Sequence, residues 1–347
     1  MLPIRAVRPV RKQHTYRAIL LVSAIFIAGA IFMAMYRHPQ AQMESKAVQG
    51  YSISYSAAEE KFVALPESVQ LGLPSGWSLE SVTPADNELW AGKLLLIDED
   101  HSVPDKMPAP NTLSIATMGK GRIAVRSMKP NANEETIDAL AELFRYGKEN
   151  GAASWLVWEG SRSNGQQLDM QLETLKQYAQ TMSLLEAAEQ AAAKVPGPGH
   201  SEHQLPWVID IRLANGWNVM PDTAPLSASP DGRLLIDNAW KFGFVHRYGT
   251  KMAPPYEDEA YHFRYVGVVH STLMHVLSLD LPSYLAFLHK KETITYYEGG
   301  KPRFAILCKE LKEGLSFQVP KECIWEGSMD NTGYAVLAVT FSQDTEE

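Results

Sequence analysis

Residues 196–211 read PGPGHSEHQLPWVIDI and mark the point where helices give way to strands along the chain. The prolines and glycines at its start end a long stretch rich in alanine, leucine, glutamate and glutamine, because proline cannot continue a helix. The apolar run from Trp207 to Ile211 is typical of a buried strand. This order of elements predicts an α+β fold, in which a small antiparallel sheet with flanking helices surrounds a cleft.

The sequence before this stretch fits the same fold class. It predicts a buried strand over 93–98, a helix that begins after Asn133 and ends at Gly151, a strand over 154–158, and one or two helices over 166–194. Asn133 can cap its helix, because an asparagine side chain accepts a hydrogen bond from the first helical turn.

The sequence after it predicts strands over 244–248 and 262–266 and then helices over 268–290. A Gly-Gly turn separates two further apolar runs, 293–297 and 304–307, which is typical of a hairpin. The chain after residue 292 is therefore expected to form a small β appendage.

Composition excludes several classes of protein. The formal net charge of -8 argues against a dedicated nucleic-acid-binding protein. Two cysteines in 347 residues exclude a disulfide scaffold and a multi-cysteine zinc site. Cys308 and Cys323 could form one disulfide in an exported protein or remain free thiols, and the sequence leaves both states open.

The amino-terminal segment predicts a membrane anchor. From Ala18 to Met35 the chain has 18 consecutive uncharged residues, which as a helix would be about 27 Å long against a hydrocarbon core of about 30 Å. Five cations and no acid precede this run, which favours a cytoplasmic amino end. A retained single-pass anchor would place the rest of the chain outside the cytoplasm, and so would a cleaved signal peptide, the main alternative. A helix buried in a core is the third alternative, and the basic flank argues against it.

Two segments that contain histidine could carry chemistry. The first places His203 seven residues before Asp210, and the second places Glu259 three residues before His262. Two histidines and one carboxylate form a three-ligand zinc set with an open position for water. A nearby carboxylate that is not a ligand can then act as a general base. On spacing alone, buried structural histidines are the commoner explanation.

These segments resemble the paired signatures of the zinc D,D-carboxypeptidases of the VanY type. The signature S-x-H-x-x-G-x-x-x-D corresponds to SEHQLPWVID at 201–210, and E-x-W-H-F-R-Y-V-G corresponds to EAYHFRYVG at 259–267. A looser element, S-G-Y-R-S before a glutamine, corresponds to EGSRS at 159–163 with Gln166 or Gln167. The three elements occur in the family's order and spacing.

The resemblance implies a role for each matched residue. His203, Asp210 and His262 would bind Zn²⁺. Glu259 would take a proton from the attacking water and return it to the leaving amine, and Arg162 would stabilise the oxyanion. The residues expected along the substrate cleft are Ser201, Gln166, Tyr261 and Arg264, of which Arg264 is either structural or part of the cleft wall. Gln166 or Gln167 would support Arg162.

Two positions depart from the signatures. Pro206 stands where the first signature has glycine, and proline lacks the freedom of glycine to adopt positive φ. Tyr261 stands where the second signature has tryptophan, which keeps an aromatic wall of a different size. Both departures bear on substrate geometry and rate, since neither removes a metal ligand or the base.

The expected function is a membrane-anchored, extracytoplasmic zinc D,D-carboxypeptidase that removes the terminal D-Ala from peptidoglycan stem peptides ending in D-Ala-D-Ala. The alternatives are an endopeptidase of the same fold and a catalytically weakened protein that binds or senses peptidoglycan. No nucleic-acid partner is expected. The predicted parts of the chain are a cytoplasmic basic tail (1–17), a transmembrane signal anchor (18–36), a stalk or linker (37–87), a D,D-carboxypeptidase-like catalytic domain (88–291) and a C-terminal β subdomain (292–347).

Overall fold

The structure is a computed structural model that describes residues 65–216, 218–220, 225–248 and 261–341. The predicted basic tail, the anchor and most of the stalk lie outside these residues, and so does Glu259. Among the helices of the described part, none combines the length and apolar character needed to span a membrane.

The described strands are β1 (Val69–Leu71), β2 (Leu79–Val82), β3 (Leu113–Ser114), β4 (Asn131–Ala132), β5 (Trp155–Glu159), β6 (Val208–Asn215), β7 (Asn218–Val219), β8 (Phe244–His246), β9 (His262–Tyr265), β10 (Thr293–Glu298), β11 (Lys301–Glu310), β12 (Phe317–Pro320), β13 (Cys323–Met329) and β14 (Tyr334–Phe341). The described α-helices are α1 (Asp86–Trp90), α2 (Ile115–Gly119), α3 (Glu134–Glu149), α4 (Asn164–Tyr178), α5 (Leu184–Lys194), α6 (Pro230–Asn238), α7 (Val268–Leu277) and α8 (Leu281–Lys291). Short 3-10 helices span Glu202–Gln204, Leu226–Ala228 and Ala239–Phe242.

One sheet carries the segments that the sequence analysis singled out. Its strand order is β5-β6-β9-β8, with β7 beside β6, and all of its strand pairs are antiparallel. The α+β prediction is confirmed for this part of the chain. We call it the site sheet.

A second sheet has the strand order β1-β10-β11-β14-β13, again with antiparallel pairs. The predicted hairpin after residue 292 is confirmed, because β10 pairs with β11 across the Gly-Gly turn. The predicted linker, however, ends too late in the chain. Residues 69–71 pair with β10, and residues 79–82 pair with β12, so both segments belong to the folded body.

The two sheets share one hydrophobic core. Ile209 and Phe263 of the site sheet belong to the same cluster of buried side chains as Leu337 and Val339 of the second sheet. The carboxyl-terminal strands are therefore part of the main body rather than the separate appendage that the sequence suggests.

The helices follow the sequence closely. Helix α3 begins where predicted, because Asn133 Oδ1 accepts a hydrogen bond from Thr136 N at 3.1 Å. The alanine-rich stretch forms two helices, α4 and α5, each with a serine at its N-cap. Cys308 and Cys323 are free.

The predicted strand over 93–98 is wrong. The segment is buried, with Leu94 and Leu95 fully inaccessible, but it has no strand pairing. Its backbone is satisfied elsewhere: Leu94 N donates to Ser328 Oγ, and Leu96 N donates to the carbonyl of Asp330. An apolar run of this length indicates burial, but it does not by itself indicate the partner of the backbone.

Candidate metal centre

Three predicted ligands meet on the site sheet. Asp210 lies on β6 directly opposite His262 on β9, and His203 lies in the 3-10 helix just before β6. His203 Nε2 is 3.3 Å from Asp210 Oδ1, and His262 Nδ1 is 3.1 Å from the same oxygen. All three side chains are buried, and one ligand atom from each lies within 4.8 Å of the others. We call this group the metal cluster.

The orientation of His203 is set by backbone contacts. Its Nδ1 donates to the carbonyl of Gly160 at 2.8 Å, since a carbonyl oxygen can only accept. Its own carbonyl accepts from Arg162 N at 2.5 Å. Gly160 is required here, because a Cβ at this position would meet Asn131 O at 2.3 Å. Ser201 is buried, and its Oγ accepts from His203 N at 3.3 Å, which places this predicted substrate residue in the turn that carries the ligand.

The orientation of His262 depends on Glu202, which the sequence analysis did not single out. Glu202 is buried, and its Oε2 lies 3.1 Å from His262 Nε2. Its Oε1 lies 2.9 Å from Arg247 Nε and 3.5 Å from Arg264 Nη1. Burial alone would raise the pKa of Glu202, but the two guanidinium groups and His262 hold it below its usual range. Glu202 is therefore ionised, and its Oε2 accepts a hydrogen bond from His262 Nε2.

These contacts bring two ring nitrogens and one carboxylate oxygen together. Nδ1 of His203 faces the carbonyl of Gly160 and Nε2 of His262 faces Glu202, so the other nitrogen of each ring faces Asp210. Burial would raise the pKa of Asp210, but the two histidines hold it below its usual range, so Asp210 carries no proton to share. A tetrahedral ion with bonds of about 2.0–2.2 Å places its ligand atoms roughly 3.3–3.6 Å apart. The donor set and its spacing therefore fit a divalent metal ion.

Arg162 lies next to the metal cluster. Its Nη2 donates to Glu159 Oε2 at 3.1 Å and its Nη1 to Gln167 Oε1 at 3.3 Å. Its Nε is buried without a hydrogen-bond partner among the described residues. Of the two candidate glutamines, Gln167 supports Arg162. Gln166 is exposed and accepts from Ser163 N at 2.8 Å in a capping box, so its observed contact is with helix α4.

Arg264 is fully buried, and its guanidinium does not reach an open surface. Its Nη2 donates to the carbonyls of Lys93 at 2.9 Å and Leu95 at 3.2 Å. The prediction that Arg264 lies along the substrate cleft is therefore wrong: the side chain holds the irregular segment 93–97 against the site sheet. The charge of a buried arginine also has to be compensated, and Glu202 provides this compensation.

The two departures from the signatures are accommodated. The backbone at Pro206 does not adopt a positive φ, so proline fits there, and its carbonyl accepts from Asn133 N at 3.0 Å. Tyr261 is half-buried, and the guanidinium of Arg212 lies 4.2 Å from its ring centroid. The predicted base, Glu259, precedes Tyr261 by two residues and lies outside the described residues.

Similarity to known proteins agrees with this geometry. Residues 129–268 match the family model described as VanY, D-alanyl-D-alanine carboxypeptidase. A D-alanyl-D-alanine carboxypeptidase of Enterococcus faecium is 21% identical over 261 residues, which cover 74% of this chain and 78% of that protein. Another, from Enterococcus faecalis, is 29% identical over 167 residues, which cover 44% of this chain and 57% of that protein.

Among solved structures, the D,D-dipeptidase VanXYg in complex with a D-Ala-D-Ala phosphinate analog is similar in fold. The TM-score is 0.60 at 20% sequence identity, and the match covers 76% of this chain and 99% of that chain. The resemblance to the VanY type is thereby confirmed over residues 129–268, which match the model of the D-alanyl-D-alanine carboxypeptidase family.

Proposed function

We propose that this protein is a zinc-dependent D,D-carboxypeptidase that removes the terminal D-Ala from peptidoglycan stem peptides. One observation carries the proposal: ligand atoms of His203, Asp210 and His262, all buried, lie within 4.8 Å of one another. The family match and the activity of the Enterococcus faecium relative support the choice of substrate.

Zn²⁺ held by these three residues would polarise the scissile carbonyl and lower the pKa of a water molecule at the open position. Two imidazoles and one carboxylate are ligands typical of catalytic zinc sites. Gly160 and Glu202 would keep both rings in the tautomers that this binding needs, through Nδ1 of His203 and Nε2 of His262.

The chain supplies two further groups to the reaction. The carboxylate of Glu259 takes the proton of the attacking water and passes it to the nitrogen of the departing D-Ala. The guanidinium of Arg162 stabilises the negative charge that develops on the carbonyl oxygen, since Glu159 and Gln167 hold its two Nη groups in place. Its Nε is a buried donor that its described neighbours leave unused.

We also propose that the protein is anchored in the cell membrane by residues 18–36, with the metal cluster on the extracytoplasmic side. The run of 18 uncharged residues after five cations supports this location. A cleaved and secreted form would reach the same compartment. Protease protection of the full chain in sealed vesicles, with and without detergent, tests this part of the proposal.

The activity is tested by D-alanine release from a pentapeptide that ends in D-Ala-D-Ala, with metal analysis of the same sample. The full chain should release D-alanine only in the presence of zinc. Glu259→Gln should lower the rate by about 100- to 10,000-fold, as expected for the loss of a general base. The exposed Glu142→Gln is the matched control, since Glu142 contacts only Arg145 in the described structure and should leave the rate unchanged.

Two results would overturn this proposal. Zinc bound at one equivalent without release from the pentapeptide or from whole peptidoglycan would favour a binding or sensing protein. Cleavage of cross-linked peptidoglycan fragments without release of D-alanine would favour an endopeptidase.

A further inference from the structure

A small cavity is lined by the first turn of α7 and by β13, the last strand of the second sheet. Its volume is about 270 Å³, which is below the range of about 300–1,000 Å³ found for pockets that hold drug-sized ligands. We call it the α7 cavity. Tyr265, which also lines it, lies three residues after His262 on β9 and so points to the opposite face of the site sheet. The α7 cavity therefore lies apart from the metal cluster.

The first turn of α7 offers backbone donors to this cavity. Gly267, at the N-cap, has no side chain that could cap the helix, and the first backbone hydrogen bond runs from Ser271 N to the carbonyl of Gly267. The N–H groups of residues 268–270 therefore have no acceptor within the helix. Because the helix dipole adds partial positive charge at this end, the turn favours an anionic group.

A buried histidine adds a side-chain donor. His270 is 7% exposed and lines the α7 cavity. Its Nδ1 lies 3.0 Å from the hydroxyl of Tyr284, which has no other hydrogen-bond partner among the described residues, so this hydroxyl donates to Nδ1. Burial and the charge of Lys93 lower the pKa of His270 to about 3, so the ring is neutral and its proton is on Nε2. No described residue bonds to Nε2, which is the nitrogen on the side of the ring away from Tyr284.

Two carboxylates of the same cavity wall offer acceptors. Glu135 Oε1 accepts from the hydroxyl of Tyr265 at 2.8 Å and lies 3.0 Å from Lys93 Nζ. Glu326 Oε1 pairs with the same Nζ. The Oε2 atoms of both glutamates have no hydrogen-bond partner within the described part of the chain. Two carboxylates against one ammonium leave one net negative charge, which favours a ligand that carries a cationic group.

We propose that the α7 cavity binds a small free α-amino acid. Its ammonium group donates to Glu135 and Glu326, and its carboxylate accepts from the first turn of α7 and from His270 Nε2. A simple anion would meet the net negative charge of the wall, and a simple cation would leave the donors unused. Charge-assisted hydrogen bonds at both ends of one small molecule satisfy donors and acceptors together. This site is separate from the metal cluster, and it does not depend on the proposed function.

Calorimetry with the full chain tests the α7 cavity. The probes are L-alanine and D-alanine, each with two analogues: N-acetylalanine, which lacks the ammonium group, and alaninamide, which lacks the carboxylate. At least one enantiomer should bind at one equivalent, and both of its analogues should bind at least about tenfold more weakly, as expected for lost contacts between charged groups. The full chain with His203→Ala should bind alanine with the same affinity, because this change affects the metal cluster alone.

Two variants place the binding in the α7 cavity. Glu326→Gln and His270→Gln should each weaken the binding of alanine about tenfold or more. Glu326 is exposed, so Glu326→Gln keeps the test decisive even where His270→Gln fails to fold. Glu298→Gln is the matched control, since Glu298 is an exposed strand residue of the second sheet that pairs with Arg303. This control should leave the affinity unchanged.

Three results would overturn the amino-acid site. The first is the absence of binding by either enantiomer, or binding of an analogue as tight as that of alanine. The second is an affinity that Glu326→Gln, or a folded His270→Gln, leaves unchanged. The third is binding that disappears in His203→Ala, which would place the amino acid in the metal cluster. The proposed function is judged separately, by D-alanine release with the unmodified chain.

Discussion

The protein contains two buried groups of histidine and aspartate that look alike in composition and differ in chemistry. In the metal cluster, Asp210 contacts only the two histidine rings within the described structure. In the second sheet, Asp330 is buried beside His289, and we call His289, Asp330, Thr332 and Tyr334 the Asp330 cluster. Both aspartates have a pKa held below the usual range, against the effect of burial.

The two groups differ in how the carboxylate is satisfied. Asp330 Oδ1 accepts from Thr332 N at 2.8 Å and Tyr334 N at 3.0 Å, and its Oδ2 accepts from Thr332 Oγ1 at 2.7 Å and His289 Nε2 at 2.5 Å. Four donors saturate this carboxylate, so it stabilises a turn. Asp210 Oδ1 instead lies 3.3 Å from His203 Nε2 and 3.1 Å from His262 Nδ1, so one carboxylate oxygen and two ring nitrogens converge, as the ligands of a metal ion do. Buried histidine and aspartate therefore indicate a metal site when several ligand atoms converge and the carboxylate is not already saturated by other hydrogen-bond donors.

The largest expected effect is the loss of D-alanine release when the metal cluster is changed. His203→Ala removes one metal ligand and should lower D-alanine release by at least about 1000-fold, because the metal supplies several kcal/mol of transition-state stabilisation. The protein should remain folded, since His203 lies in the short 3-10 helix outside the strands of the site sheet. Circular dichroism with the release assay checks both parts, and a variant that keeps more than about a tenth of the rate would contradict the assignment.

A substitution in the Asp330 cluster should lower the stability of the protein and leave zinc binding unchanged. Asp330→Asn places a side-chain N–H₂ among four donors and should lower the free energy of unfolding by about 3 kcal/mol, since hydrogen bonds to charged groups contribute about 1.5–3 kcal/mol each. Urea unfolding of wild type and variant measures this difference. The zinc content per folded molecule should stay the same. An Asp330→Asn protein as stable as wild type would show that the hydrogen bonds of the Asp330 cluster are not structural.

Glu202→Gln sharpens the comparison at the carboxylate that contacts His262. A glutamine can offer its N–H₂ group to His262 Nε2 and so favour the wrong tautomer, which should weaken zinc binding about 10- to 100-fold. Chelator competition measures this affinity. Because Arg247 and Arg264 lose their counter-charge, stability also falls, and the double variant Glu202→Gln with Arg247→Gln should recover part of the stability but not the affinity. Unchanged zinc affinity in Glu202→Gln would contradict this role.

The smallest effect concerns a buried histidine with no carboxylate partner among the described residues. Burial, helped by the nearby charge of Lys93, lowers the pKa of His270 from 6.5 to about 3. The folded state then binds fewer protons than the unfolded state, so stability is full above the unfolded pKa and falls as the pH drops toward the folded pKa. Between pH 6.5 and pH 5.5 the loss should be about 1 kcal/mol. Urea unfolding of wild type and His270→Gln at both pH values isolates this contribution, which should be missing from the variant.

The local features of this fold could be predicted from the sequence, whereas the distant pairings could not. The Asn133 cap, the paired helices α4 and α5, and the strands that carry Asp210 and His262 follow from periodicity and capping. Strand β1 was missed, because three residues carry too weak a pattern, and their partner β10 lies more than two hundred residues further along the chain. The segment 93–97 could be predicted to be buried. Its backbone hydrogen bonds to Asp330 and Ser328 could not be predicted.

The same limit applies to the site. The three candidate ligands could be predicted because they stand at matched positions of the two signatures. Gln167 was one of two glutamines proposed to lie beside Arg162. Glu202 was missed, although it precedes His203 directly, because its importance comes from Arg247 and Arg264, which lie far away in the sequence and next to it in the fold. The acidic residue beside the first histidine, together with the two arginines near the second, is the signal that could have identified it.

The most direct test of zinc binding by the metal cluster is the zinc content of three purified full-length proteins after dialysis against zinc and then against buffer. Wild type and Asp330→Asn should each retain one equivalent, and His203→Ala should retain none. Loss of zinc in Asp330→Asn with retention in His203→Ala would place the metal in the second sheet and contradict its assignment to the metal cluster. Retention of zinc by all three proteins would contradict it as well, because binding would then not depend on the metal cluster.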